Sequence, residues 1–541
     1  MTQVEGDDLI GSESNHQKLI KETQIPTSPL ESHEKTFNPT TYDCDFISIQ
    51  RRNIIPIKLQ LLPKEINVIY SSNNLTMFSI KHDDYICIVD DLPKTTITKV
   101  ISHCRITEEK LHKKILCRIT HVPLNKKSKC NCFNCFFCCD CKCKTIYSER
   151  DIRTSFFLFP QNKIDDIKHT LSYYSPPPIQ DLIAKNRKRK ILFFVNPVSG
   201  TGKSISIWNK AKEIFDQTDI EYKVIFTERV KHAYDTVLHL GLEEYDGIVN
   251  CSGDGILHEI VNGIFHRPDR DIFLGRVAVA ALPAGSANAF SKGITDYCGD
   301  DNRVETHCYY IIRGRTKKID LQEMELTEVD KKVYSFLSLT YGMVADIDLE
   351  SEVIRCVGML RTTIWGAIRW VNLRDYFGCL YYLPKDSKMN LEDIPSINEN
   401  LDESKFIKEN DNWSFFVSDN LKFIGETIKT VPLAVLDDGL NDIVALKRST
   451  SGRCLLLKEL VTYIDNGDEF IDEKGNIREG IHYYQTKFWR LIPKLHLNDP
   501  DDVNVKHNFE HFYSIDGERY PICPIQAKTL QKVLSVYCGK E

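Results

Sequence analysis

No apolar run in the 541 residues approaches the roughly 18 that a membrane-spanning helix needs, so no segment reads as crossing a bilayer. The opening residues, Met1-Thr2-Gln3-Val4-Glu5-Gly6-Asp7-Asp8, are acidic and lack the apolar core of a secretory signal. Basic charge is not in excess either: 70 Lys and Arg stand against 76 Asp and Glu, a formal balance of -6. With no recognition helix or RNA-binding signature, that balance argues against nucleic acid as a partner. The expectation is a cytoplasmic protein that can lie peripherally on a membrane surface, at the ER, Golgi, endosome or plasma membrane. Hydrophobic residues at 42% and charged residues at 27% are ordinary for a globular chain, and the length allows about three or four domains.

Cysteine, by contrast, is plentiful. Of nineteen, seven fall in the Lys-flanked, Phe-interleaved segment 126–144: Cys130, Cys132, Cys135, Cys138, Cys139, Cys141 and Cys143. Disulfides are not expected where thiols stay reduced. S-acylation suits thiols set among lysines and phenylalanines, which favour a membrane interface. The spacing matches no standard zinc pattern, though a metal–thiolate site remains an alternative, as does a Cys-rich loop without a role.

Residues 1–45 are polar and are expected to be disordered. Short β-like runs at 54–62, 66–70, 85–89, 96–101, 115–122 and 155–159, followed by a helical stretch at 164–171, make 46–174 a β-rich regulatory or membrane module. Antiparallel strands closed by one helix would suit a pleckstrin-homology-like module with the cysteine loop inserted. The other reading is an irregular β extension packed on the catalytic core. Ser175-Pro176-Pro177-Pro178 begins a stiff linker, 175–188. From Arg189 the pattern becomes strand–helix alternation, an α/β lobe over 189–318, with strands at 189–195, 222–226, 247–251 and 277–282. Beyond it, 319–541 reads as an antiparallel, β-rich lobe. Its strands are expected at 334–340, 378–383, 413–417 and 430–436, with 385–412 as an exposed, disordered insertion.

Three glycine turns, each after an apolar strand and before a helix, carry the chemistry. The first, Asn196-Pro197-Val198-Ser199-Gly200-Thr201-Gly202-Lys203-Ser204, superficially resembles the Walker phosphate loop, but Pro197 stands where that loop requires glycine. Its glycines still allow backbone N–H groups to surround phosphates at a helix start. The second, Ser252-Gly253-Asp254-Gly255, sets one carboxylate in that loop, where it could take a proton from an attacking hydroxyl. In the helix that follows, Ile256, Leu257, Ile260, Val261 and Ile264 form the buried stripe, leaving Glu259 to project toward the first turn and a nucleotide. The third is Leu282-Pro283-Ala284-Gly285-Ser286-Ala287-Asn288-Ala289.

Together, Asn196-Pro197, Ser252-Gly253-Asp254-Gly255 and Leu282-Pro283-Ala284-Gly285-Ser286 resemble the lipid kinases of the diacylglycerol, ceramide and sphingosine kinase group. The stretch Ser338–Glu352 and Asp516-Gly517-Glu518 look specifically like sphingosine (sphingoid long-chain base) kinases of a fungal type with an N-terminal extension. The resemblance covers about Lys190 to Pro524. It implies ATP and Mg²⁺ as cofactors, a two-lobe fold with the nucleotide between an α/β lobe and a β-rich lobe, and Asp254 as base. It also implies nucleotide contacts from Asn196, Pro197, Val198, Gly200, Gly202, Thr227, Glu228, Arg229, Val230, Lys231, Glu259, Gly285, Ser286, Ala287, Arg355, Arg361, Asp516, Gly517 and Glu518. Asp516 would help to hold Mg²⁺. Lipid contacts fall on Ser252, Gly253, Asp254, Gly255, Ser338 and Asp348, with the Asp348 carboxylate meeting the protonated amine of a sphingoid base. Ala287 departs from the family's usual glycine and fits only if its φ is negative.

Arg355 and Arg361 would lie about 120° apart on one continuous helix, so a bend at Gly358 is expected. In Met359–Val371, the residues Leu360, Ile364, Ala367, Ile368 and Val371 form one apolar stripe, either a lid touching the bilayer or the inner face of a core helix. The expected activity is phosphorylation of the primary hydroxyl of sphingosine, dihydrosphingosine or phytosphingosine. Rival readings are a ceramide or diacylglycerol kinase, an NAD kinase, and a membrane adaptor with a dead kinase core.

Overall fold

The continuous apolar runs become strands buried on both faces. The computed structural model describes the nine strands between residues 40 and 160, residues 187–449 apart from 219, 358 and 359, and then 470, 476–494 and 511–540. In β1 (Lys190–Val195), every residue after Lys190 is buried, and β3 (Gly247–Ser252) is buried throughout. A strand without a polar face needs helices on both sides, which is what parallel α/β connections supply. Strands β2 (Glu221–Phe226), β1, β3 and β4 (Ala278–Pro283) lie side by side in that order, all parallel. Their crossovers are α1 (Lys203–Phe215), α2 (His232–Leu238), α3 (Asp254–Phe265) and the short α4 (Arg270–Leu274); α5 (Ala289–Cys298) and α6 (Val304–Arg313) follow β4. Phe193, Trp208, Phe215 and Tyr222 meet at ring-centroid distances of 4.9–6.4 Å and fill the space under α1.

The second lobe is antiparallel. It comprises β5 (Thr316–Leu326), β6 (Val333–Ser335), β7 (Ser338–Gly342), α7 (Met343–Glu350), α8 (Leu360–Val371), β8 (Phe377–Tyr382), β9 (Ile407–Asp419), β10 (Asn441–Lys447), β11 (His482–Thr486), β12 (Phe488–Pro493), β13 (Phe512–Ile515), β14 (Glu518–Pro521) and β15 (Ile525–Tyr537). One strand joins the lobes. β15 pairs antiparallel with β5 and β12, and its Val536 pairs parallel with Val279 of β4, so a single sheet runs through both.

Three expectations for this region are corrected. Residues 385–412 are not a disordered insertion: Ile394 and Phe406 are buried against Cys379, Tyr381 and Phe488, and the Arg490 guanidinium donates to the carbonyls of Ser396 and Glu399. The acidic composition hid these apolar anchors. Residues 430–436 are turns rather than a strand, and the expected 334–340 strand is two, broken at Phe336 and Leu337.

N-terminal to the linker, seven antiparallel strands form their own sheet in the order 76–81, 65–70, 53–61, 40–48, 153–160, 114–121, 85–89. The strand Thr40–Ser48 begins inside the stretch expected to be disordered. A two-stranded ribbon, Leu124–Cys130 with Lys144–Arg150, carries the cysteine loop between two strands of that sheet. Cys130 ends its first strand; Cys132 to Cys143, the expected strand at 96–101 and the expected helix at 164–171 lie outside the described residues.

Candidate functional site

The three glycine turns meet because their strands are parallel neighbours that all end on the same side of the sheet. Ser199, in the 3₁₀ turn Ser199–Gly202, accepts the Gly253 N–H through its hydroxyl at 3.1 Å, tying the first turn to the second. The second and third turns touch backbone to backbone. A Cβ built on Gly285 would lie inside the Gly253 Cα and 2.8 Å from its nitrogen, so Gly285 is required by a neighbouring backbone as well as by any ligand. Asn288, left-handed at φ 51°, closes the third turn by accepting the Gly285 N–H at 2.8 Å. Ala287 is not among the residues with positive φ, so its methyl group sits there without strain.

Asp254 opens α3, and the start of α5 holds its carboxylate: Ala289 N–H donates at 3.0 Å and Phe290 N–H at 3.3 Å. Burial pushes its pKa up to about 6, against those two donors and with a further push from the Asp516 charge. That places the group close to the working pH of a general base. Asp254 lines a cavity of about 1170 Å³ running between the lobes. Ser199, Lys203, Gly253, Gly255, Gly285, Ser286, Ala287 and Asn288 border it on the nucleotide-lobe side, and Ser338, Asp348, Arg361, Asp516, Gly517 and Glu518 on the other.

Among the acidic residues of α7, Asp348 stands apart. Asp346 and Glu350, one helical turn apart, are bound by Arg374 at 2.8 and 2.9 Å and by Arg369, and Tyr376 also donates to Asp346. Asp348 points away from that cluster into the cavity, where Ser514 donates to it at 2.7 Å. Its pKa is raised, first by burial, with the Ser514 hydrogen bond and the Arg361 charge opposing the rise. The same cavity takes apolar lining from Met343, Val344, Ile347, Phe415, Ile424 and Ile428. The cavity thus brings together a glycine-rich polar lining, a buried carboxylate and an apolar lining.

Several expected contacts are placed elsewhere. Glu259 does not face the cavity; its carboxylate caps α2, accepting from Lys231 N–H at 2.8 Å and Ala233 N–H at 3.0 Å. Thr227 to Lys231 also lie off the cavity wall, with Val230 exposed and Arg229 paired to Asp235 at 2.7 Å. Asn196 and Ser252 sit behind the turns: the Asn196 side chain accepts the Val198 N–H at 3.1 Å, and Ser252 is buried in β3. Pro197, Val198 and Gly202 belong to the first turn without lining the cavity; Gly200 lies in the same turn. Arg361 pairs with Glu352; Arg355 lies in the 3₁₀ segment Ser351–Val357, with its side chain, like Gly358, outside the described residues.

Asp516 is corrected as a metal ligand. With Gly517 it makes a tight turn, both at positive φ (52° and 87°), between β13 and β14. One oxygen accepts from Ser335 Oγ at 2.6 Å and from the Leu337 and Ser338 N–H groups at 3.1 Å; the other meets His258 Nδ1 at 2.8 Å. His258 Nε2 in turn faces Tyr520 at 2.9 Å. Both oxygens are occupied by protein donors, so Asp516 pins the lobes together rather than offering itself to Mg²⁺. Among the described residues no three carboxylate, His or Cys groups cluster for a metal; the Glu518 carboxylate packs against Gly255 on the cavity wall. His258, Ser514 and Lys203 were missed by residue-level reasoning. His258 had a local signal, a polar side chain in an apolar helix, and Lys203 had another, its place in the Gly202-Lys203-Ser204 end of the first turn.

A family model for the diacylglycerol kinase catalytic domain matches residues 190–324. "Sphingoid long chain base kinase 4" of Schizosaccharomyces pombe is 28% identical over 367 residues, covering 64% of this chain and 74% of that protein. "Sphingosine kinase 1" of Arabidopsis thaliana is 30% identical over 347 residues, 60% of this chain and 69% of that protein. The chain belongs to the sphingosine kinase family. Mus musculus "Sphingosine kinase 1" aligns at 34% over 204 residues, 37% of this chain and 53% of that protein. The aligned length with the Arabidopsis thaliana relative, 347 residues, is well above the span of the catalytic-domain match, 190–324.

Proposed function

We infer that this chain is an ATP-dependent lipid kinase that phosphorylates the primary hydroxyl of sphingoid long-chain bases (sphingosine, dihydrosphingosine, phytosphingosine) to their 1-phosphates. The observation that carries this reading is Asp348, the α7 carboxylate left without an arginine at hydrogen-bond distance on its own helix face and turned into the cavity that Asp254 and an apolar lining share. A sphingoid base has an ammonium beside its primary alcohol and a hydrocarbon chain beyond, and the cavity supplies a partner for each. Pairing the ammonium with Asp348 fixes the hydroxyl, so that positioning does much of the catalysis.

Asp254 takes the proton from that hydroxyl as its oxygen bonds to the γ-phosphorus and the bond from phosphorus to the β–γ bridging oxygen breaks, releasing ADP. Backbone N–H groups of the glycine turns, with Lys203 and Arg361, stabilise the phosphoryl charge. Mg²⁺ bound with the nucleotide would neutralise phosphate charge, and Glu518 would be the residue to help hold it.

Membrane association fits the same reading. Leu360, Ile364, Ile368 and Val371 of α8 are 65%, 44%, 46% and 70% exposed, joined by Val353 at 81%, while Arg369 is buried on the opposite side. An apolar stripe that faces outward beside a lipid cavity suits a lid lying on the bilayer. The seven-stranded antiparallel sheet suits a pleckstrin-homology-like module, and the cysteine loop on its ribbon suits S-acylation; both would hold a cytoplasmic enzyme on a membrane.

The test is a labelled-ATP assay with sphingoid bases, ceramide and diacylglycerol presented side by side, on the natural chain and on Asp348→Asn. Sphingoid bases should be the acceptors, and the substitution should raise their KM by about 10- to 100-fold, the 1.5–3 kcal/mol of a charge-assisted hydrogen bond, leaving the KM for ATP nearly unchanged. Preferential turnover of neutral lipids, or equal effects on both KM values, would defeat this reading.

A further inference from the structure

One polar group on the cavity wall has no use inside the protein. Thr340, in the middle of β7, is 4% exposed, lines the cavity, and its hydroxyl has no hydrogen-bond partner among the described residues. Its surroundings are otherwise settled. Leu339 and Tyr341 turn to the other face by strand alternation and join the core. Thr340 pairs directly across the strands with Ser514, whose own hydroxyl is spent on Asp348. Directly opposed residues share a sheet face, so the orphan hydroxyl stands beside the carboxylate proposed to hold the amine.

A buried hydroxyl left unpaired costs about 1–3 kcal/mol, and valine would fill the same volume without that penalty. A cavity for a plain hydrocarbon gains nothing from a threonine there. The register says which substrate atom would meet it. Ser338, two residues back, sits beside Asp516 at the reacting end. Two residues of strand advance roughly 7 Å, close to the roughly 6 Å that the five bonds from the C1 oxygen of an extended sphingoid base to an oxygen on C4 can span. The amine on C2 and the hydroxyl on C3 fall within reach of Asp348 and Ser514. A hydroxyl on C4 is the first group beyond them.

We propose that Thr340 is a specificity-determining residue that receives a C4 hydroxyl, so that this enzyme favours 4-hydroxylated sphingoid bases over those with a plain chain. The proposal rests on the sphingoid-base reading above. It is tested with the full chain by measuring kcat/KM for phytosphingosine and dihydrosphingosine in the same mixed micelles. Thr340→Val should lower the phytosphingosine-to-dihydrosphingosine ratio about 5- to 20-fold, as loss of one neutral hydrogen bond with its partner left buried implies. The dihydrosphingosine value should stay within about two-fold, since that base places no polar group against the Thr340 hydroxyl and so loses no hydrogen bond with it. Thr340→Ser, which keeps the hydroxyl, should restore most of the ratio, and Thr340→Ala offers the same comparison should the valine variant fail to fold. An unchanged ratio, or an equal loss for both bases, would overturn the proposal while leaving the kinase reading intact. A natural chain that phosphorylates neither base would overturn both.

Discussion

Replacing Asp254 by asparagine separates chemistry from folding, because the two should move in opposite directions. The carboxylate is burdened in the folded state: its pKa rises from 3.8 to about 6, mainly through burial. At about 1.36 kcal/mol per unit, the charged form is disfavoured by about 3 kcal/mol. Below pH 3.8 the group is protonated whether the chain is folded or not, and it contributes nothing to the pH dependence. As pH climbs from 3.8 to 6, the unfolded chain releases its proton first, so folded stability falls; above about 6 the whole penalty is present. Asparagine carries no charge to desolvate, but its NH₂ must face one of the two N–H donors from Ala289 and Phe290, a loss of about 1 kcal/mol. The net expectation is a variant more stable by about 1–2 kcal/mol at pH 7, the advantage vanishing near pH 4, read by denaturant melts at both pH values. Turnover should fall by about 10²–10⁴-fold, the range for a positioned base. The natural enzyme's kcat/KM should drop tenfold per pH unit below about pH 6. A variant that keeps its activity, or a natural enzyme with no acid limb near pH 6, would refute the assignment of the base.

Other substitutions probe the remaining parts of the site. Gly285→Ala should cut kcat/KM by more than about tenfold with little change in the circular dichroism spectrum, since the added carbon collides with the Gly253 backbone and must push two turns apart. Activity within two-fold of the natural chain would show that the turns have slack. Leu360→Glu with Ile364→Glu should lower sedimentation with anionic vesicles and turnover of vesicle-borne base, while turnover of micellar short-chain base stays unchanged, because both side chains face outward. Equal loss in both assays would mean that α8 packs inward during catalysis.

How much of this could be read from residues alone depended on how local each cause is. The strand–turn–helix rhythm from Lys190 to Ala289 is local, so β1 to β4 and the three turns fell within a residue or two of expectation. Asp348 was also legible, because it belongs to a recognisable run. Its separation from Asp346 and Glu350 was not, since Arg369, Arg374 and Tyr376 claim those two from later in the chain. Glu259 misled for the same reason: nothing near it in sequence says that the start of α2 needs a cap. Asp516 looked like a cation ligand until Ser335, Leu337, Ser338 and His258 filled its oxygens. Periodicity marked the apolar stripe of α8 but carried no information about which side of it meets protein.

The strand β15 has a bearing on how this molecule is made. Val536 completes the edge of the nucleotide lobe against Val279, yet the ribosome must deliver the whole lipid lobe before that strand emerges. Until then β4 stands as a bare edge, able to pair with the wrong neighbour. Cutting the gene between the lobes would leave the first fragment in that open state permanently. Co-expressing the two halves, so that β15 arrives from a separate chain, is therefore a sounder route to a divided enzyme than expressing the nucleotide half by itself.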